Sequence, residues 1–223
     1  MSSLKFRLDI CPIQEAIFEI KFSSKFPDDA VFGIFYNIIN EIFTYPEIVR
    51  LPIYQIPENI RLNDPSLKYS AHYKLIKDNI SIGLGPNVIF FSNIKPYKGW
   101  TNWNNTIINI LSELIKGDCF KEIEQMGLRY INYFKQNLCD VSNFEINLSF
   151  DSIANKTFSF KTETNNNNFL QIIQLHNKIN FQIDNKTLIG SIIDIDIISQ
   201  KIIAENFIET IVNTIENLHK TES

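Results

Sequence analysis

Cysteine, histidine and glycine are all scarce in this chain, and each scarcity excludes a class of chemistry. Only three cysteines occur in 223 residues. Cys11, Cys119 and Cys139 are odd in number, far apart and without a C-x-x-C pair, which excludes a disulfide framework and a thiolate zinc site. They read as reduced thiols in or near the core. The three histidines, His72, His176 and His219, share no metal-ligand spacing, and no H-E-x-x-H occurs. Structural or solvated roles are expected, with His219 a cation near the C-terminal end of a helix dipole. Among seven glycines, Gly83-Leu84-Gly85-Pro86 is the nearest approach to a phosphate loop. It lacks a third glycine and a lysine, and Pro86 removes a backbone donor, so it reads as a turn. No serine sits in G-x-S-x-G and no cysteine has a histidine nearby in sequence. No apolar run approaches the ~18–20 residues that cross a bilayer, and the first residues form no signal-like apolar block. A cytoplasmic protein without a membrane partner is the expectation. Lys and Arg number 21 against 25 Asp and Glu, a net charge of -4, which gives no long-range attraction for nucleic acid. No cofactor or metal is expected.

What is present is an ordinary globular composition, 44% hydrophobic with 18 Phe. Phenylalanine and isoleucine suit half-buried sheet surfaces, so a sheet-rich interior is expected. The length allows one large domain or two intimate subdomains.

Period-two alternation over 15–22 places Ala16, Phe18, Ile20 and Phe22 on one face and Glu15, Ile17, Glu19 and Lys21 on the other, a half-buried strand. Pro27-Asp28-Asp29 opens a helix whose apolar positions are Val31, Ile34, Phe35, Ile38 and Ile42, ending near Tyr45-Pro46. Prolines 52, 57 and 65 predict an extended, irregular stretch or edge strand. Strands follow over 69–76, 79–84 and 87–91. A second helix carries Trp100, Trp103, Ile107, Leu111 and Leu114 and closes on Gly117 as a left-handed cap. The first half thus reads β-α-β-β-β-α. In the second half, strands are expected over 128–134, 144–150 and 157–161, with a turn at the asparagine run 165–168. A hairpin around His176-Asn177 joins 169–175 to 178–183. A last strand covers 190–198, and a helix carries Ile202, Ala204, Ile208, Ile211, Ile215 and Leu218. The fold class is α+β: antiparallel sheet packed with about three helices, in two pseudo-related halves, 1–118 and 119–223, forming one compact unit.

Five residues are candidates for binding. Tyr97, Trp100 and Trp103 enter a helix together, either as an aromatic platform for a ligand or partner or as the anchor of a helix on the sheet. Arg129 and Asn132 lie within a strand, where burial is costly unless each is paired, so they read as a structural ion pair or a pocket lining. Asp194-Ile195-Asp196 puts two carboxylates on one strand face, where a hard cation could sit, but the alternating isoleucines favour an amphipathic strand with one wet face.

Four segments occur in a fixed order: Pro12 to Ile20, Tyr97-Lys98-Gly99-Trp100, Met126 to Asn132, and Ile193 to Asp196. Together they resemble a sporadically distributed family of uncharacterised prokaryotic proteins with P-x-x-E-x-x-x-E, Y-x-G-W, G-L-R-Y-I-N and L-D-I-D-like motifs. The resemblance implies a prokaryotic source and a horizontally exchanged locus of the defence or toxin-antitoxin type, but no established activity. Gln125 stands where that family tends to have arginine, which argues against a paired-arginine site. The functional expectation is a non-catalytic protein-binding or regulatory protein, acting through a protein partner or by self-association. The alternatives are a small-molecule-binding α+β shell and an enzyme with a distributed site built from Arg129, Asp194, Asp196 or Glu19.

Overall fold

The computed structural model describes residues 11–64, 67–135, 137–138, 157–166, 168–183, 186–199, 203, 205 and 207–222. The expected strand over 144–150 and Cys139 lie outside them. Among the described residues, nine strands form one antiparallel sheet in the order β2-β3-β4-β5-β1-β6-β9-β8-β7. They are β1 (Ile13–Ser24), β2 (Glu47–Arg50), β3 (Tyr73–Lys77), β4 (Ile80–Gly85), β5 (Val88–Ile94), β6 (Phe120–Phe134), β7 (Phe158–Asn166), β8 (Phe169–Ile183) and β9 (Lys186–Ser199). The helices are α1 (Asp28–Ile42), α2 (Glu58–Asn63), α3 (Trp100–Lys116) and α4 (Phe207–Glu222). None of them, among the described residues, is long and apolar enough to cross a membrane.

The two halves meet strand to strand, β1 against β6, within this continuous sheet. In the first, β1 leads through α1 to the strands β3, β4 and β5, the last returning beside β1 before α3 follows. In the second, β7, β8 and β9 run outward to inward, β9 returns beside β6, and α4 follows. The first half carries one strand more than expected, because Glu47–Arg50 pairs with β3 as the sheet edge.

The β1 alternation is realised in full: Ala16, Phe18, Ile20 and Phe22 are all at 0% exposure. Against them pack α1 through Val31, Phe35 and Ile39, and α3 through Trp103, Ile107, Ile110, Leu111 and Leu114. Helix α4 joins the same core through Ile211, Ile215 and Leu218. All three long helices therefore lie on one sheet face. Each large apolar side chain buried here contributes about 1.5–3 kcal/mol. Phe22 is stacked on Phe35 at 5.4 Å and meets the edge of Phe120 at 5.0 Å, tying β1, α1 and β6 at one corner.

Four local expectations need correction. Residues 169–183 form one strand rather than a hairpin: the register slips between His176 and Ile179, and Lys178 takes φ 52, so the expected turn is a bulge inside β8. Gly117 has φ -73 while Asp118 takes the left-handed φ 55, since a short polar side chain tolerates that region. A Cβ at Gly117 would stand 2.9 Å from Ile38 Cδ1, so close packing of α3 on α1 accounts for the glycine. The last helix begins at Phe207, because Ile203 exchanges backbone hydrogen bonds with Ile123 and prolongs the sheet instead. The proline-rich stretch is helical in two short pieces, a 3-10 turn at Pro52–Gln55 and α2, each opened by a proline whose missing N–H no helix start requires.

Two glycines should separate space from propensity. A Cβ at Gly190 would lie 2.2 Å from Tyr133 Cε2 and 2.6 Å from the Phe134 carbonyl oxygen, whereas one at Gly33 in α1 meets nothing within 4 Å. Urea denaturation is expected to show Gly190→Ala losing about 1–3 kcal/mol and Gly33→Ala gaining about 0.5–1 kcal/mol.

Candidate functional site

The face of the sheet opposite the helices carries the charge. Because paired residues on adjacent antiparallel strands share a face, the ladders align Ser92, Ile17, Arg129, Asp196, Ile172 and Glu163 in one row across β5, β1, β6, β9, β8 and β7. The neighbouring row is Ile94, Glu15, Ile131, Asp194, Gln174 and Lys161. A third begins Phe90, Glu19, Gly127 and Ile198.

Arg129 sits at the centre of these rows. Its Nε donates to Asp194 Oδ1 at 2.8 Å and its Nη2 to Asp194 Oδ2 at 2.6 Å, a two-pronged ion pair. The Asp194 side chain is 9% exposed and that of Arg129 41%. The hydrogen bonds to Asp194 hold the guanidinium more firmly charged than usual. Asp196, next on the same strand face, is not held in that way. Burial pushes its carboxyl up to about 6, with Arg129 pulling down and the charges of Asp194 and Glu19 pushing further up. Glu19 is likewise raised, chiefly by burial, despite Lys21 and Arg129. Gly127, directly between Glu19 and Ile198, leaves the space into which Asp196 leans: its Oδ1 would be 3.9 Å from a Cβ there. Ser92 donates to Glu15, and Lys21 reaches Gln125 Oε1 at 2.6 Å. Across β1, β6 and β9 this face thus offers Glu15, Glu19, Asp194 and Asp196 against Lys21 and Arg129. Among the described residues, no group of three or more His, Cys, Asp or Glu is placed to hold a metal ion. The wet strand face expected for Asp194 and Asp196 is instead a half-buried ionic cluster.

The sequence candidates divide between the two faces. Tyr97, Trp100 and Trp103 lie on the helix side with Tyr130 and His219, every neighbouring pair of rings within 6.4 Å. Trp103 is 1% exposed and Trp100 stacks flat on His219 at 4.1 Å, so the cluster clamps the start of α3 and the end of α4 onto β6. This is the anchoring arrangement. Burial lowers the His219 pKa and favours a neutral ring, in contrast to the cation expected at that helix end. Asn132 donates to the Ile193 carbonyl at 3.2 Å, bridging β6 to β9. Arg129 is thus the one binding candidate on the charged face.

The thiols also divide. Cys119 is buried, and burial with the Asp118 charge pushes its pKa up to about 11, which leaves it an inert thiol at neutral pH. Cys11 is exposed, in contrast to the expected near-core position, because it lies just before β1 begins.

A second feature was not anticipated. Beside the β4–β5 turn, a cleft of about 770 Å³ opens between the first turn of α1, the 3-10 turn with α2, and the strands β3 and β4. Its walls include Asp28, Phe32, Tyr54, Arg61, His72 and Tyr73. The signal available in sequence was Pro57-Glu58, a proline and an acid at a helix start, within a stretch whose prolines read as extended.

The chain matches no protein-family model, no curated protein and no solved structure.

Three substitutions test these assignments. Trp103→Ala is expected to cost about 3–5 kcal/mol in chemical denaturation, with half-buried Trp100→Ala costing less than half as much. Asp196 titrates higher folded than unfolded, so the folded state binds the extra proton between pH 4 and about 6. Its contribution to stability is greatest below that window and is lost as pH rises through it. Asp196→Asn should therefore be more stable than the parent at pH 7.5, and the difference should shrink towards pH 4.5.

Proposed function

We propose that the chain is a non-catalytic binding protein whose charged sheet face receives a protein partner bearing lysine or arginine side chains. The observation that carries this reading is the surplus of carboxylates on β1 and β9 beside Arg129 of β6, set among Ile17, Ile131, Ile172, Ile198 and Phe90. Burial raises the proton affinity of Glu19 and Asp196 because their negative charge is incompletely compensated. A cation delivered by a partner supplies that compensation, and the surrounding apolar side chains supply contact area.

The same chemistry selects against other occupants. In a two-fold dimer through this face the same net-negative patch would supply both sides, which disfavours self-association there. A nucleic acid would bring phosphates to the same groups. A prokaryotic regulatory setting, as the motif resemblance implies, is compatible with a partner of this kind.

The test is co-purification from cells that naturally express the chain, with the parent beside the double variant Glu19→Lys and Asp196→Lys. The expected result is a basic partner retained by the parent, released by salt, and bound at least about tenfold more weakly by the variant. Equal retention by both proteins, with the variant folded by circular dichroism, would remove the sheet face from the interaction.

A further inference from the structure

We infer that the cleft beside the β4–β5 turn is a small-molecule site for a zwitterion bearing an aromatic ring, of amino-acid to dipeptide size. The inference is independent of the partner proposed for the sheet face, because the cleft is built from other elements.

Three features define the ligand. The first is a fixed aromatic wall. Phe32 of α1 and Tyr73 of β3 stack at 3.7 Å, Tyr54 tilts against Tyr73 at 5.2 Å, and Arg50 lies over the Tyr54 ring at 5.1 Å. Rings held by one another and by a sheet lose little freedom when a further ring joins them.

The second is Arg61. Its Nη1 lies 3.0 Å from the His72 ring nitrogens, while its buried Nε has no hydrogen-bond partner among the described residues. Burial and the neighbouring Arg61 charge lower the His72 pKa, which favours a neutral ring able to accept from the guanidinium. A buried N–H without an acceptor is costly, and a carboxylate oxygen is the acceptor that suits a guanidinium edge. The third is the first turn of α1, where Asp28 and Asp29 line the same cleft and the Asp28 charge is felt at His72. Their charges favour an ammonium group and oppose a second anion, so they distinguish a zwitterion from a simple acid.

At about 770 Å³ the cleft lies in the usual range for small-molecule sites. The volume leaves room beyond one ring and its two charged groups, which sets the upper limit at a dipeptide.

Calorimetric titration of the full chain with tryptophan, tryptamine and indole-3-propionate tests the inference, since the three share a ring and differ in charge. Saturable tryptophan binding is expected, with each single-charge analogue at least about tenfold weaker. Arg61→Gln should weaken tryptophan and indole-3-propionate by at least about tenfold and leave tryptamine unchanged, while Arg61→Lys should fall between parent and Arg61→Gln. Asp28→Asn with Asp29→Asn should weaken tryptamine and spare indole-3-propionate. Absence of saturation by all three probes up to about 5 mM, equal affinity for the three, or an equal loss of all three in a folded Arg61→Gln protein would each overturn the assignment.

Discussion

The pairing of β1 with β6 is the constraint on which the rest of the molecule depends. Each strand is the inner edge of its own half, and their ladder runs from Ile13 opposite Asn132 to Ser24 opposite Phe120. One face of this seam supplies the centre of the apolar core, with Phe18 and Ile20 against Leu128 and Met126. The other face brings Glu15 and Glu19 beside Arg129, and through β9 beside Asp194 and Asp196. Because side chains alternate strictly along a strand, a slip of one residue in this pairing would exchange the two faces, burying carboxylates under the helices. The apolar face therefore fixes the register, and the register assembles the ionic cluster.

That cluster has a cost the apolar side does not. Half-buried carboxylates lose hydration; Asp194 is compensated by the two-pronged contact with Arg129 and Glu15 by the Ser92 hydroxyl. Asp196 and Glu19 remain partly uncompensated. A fold selected for stability alone would place apolar or neutral groups there, which is the ground for proposing a partner's cation at this face. Similar logic separates the aromatic cluster from the functional surface. Tyr97, Trp100 and Trp103 are unusual in composition, yet their rings are occupied with Tyr130 and His219 in joining α3 and α4 to β6.

The fold class was legible wherever one period dominated. The alternation around Phe18 and the spacing of Trp103, Ile107, Leu111 and Leu114 each reflect a single buried face, and the structure follows them closely. Reading failed where two effects competed locally. His176-Asn177-Lys178 has the polarity of a turn, but pairing on both sides holds the strand together and absorbs the irregularity as a bulge. Pro52 and Pro57 remove donors, which suggests extended chain, yet the same property suits them to begin short helical turns. The candidate site was legible only in part. Arg129 in a strand demanded a partner, but its partner lies 65 residues away in sequence, and only the adjacency of β6 and β9 identifies it. The cleft was invisible for a related reason, since its walls come from α1, α2 and β3, whose proximity is a property of the fold rather than of any segment.

The strand order also governs how the chain can assemble as it emerges from the ribosome. Residues 13–116 contain all five strands and the helices of the first half, so a native-like unit can form before the remainder is made. β6 follows directly after α3 and can seal the free edge of β1 at once. Its own outer edge must then wait for β9, some sixty residues later in synthesis. During that interval a fifteen-residue strand presents an unpaired backbone edge with Tyr130 still lacking the cover of His219 on α4. The vulnerable moment of this molecule is thus late in its synthesis, and the strand most exposed to wrong pairing is the one that carries Arg129.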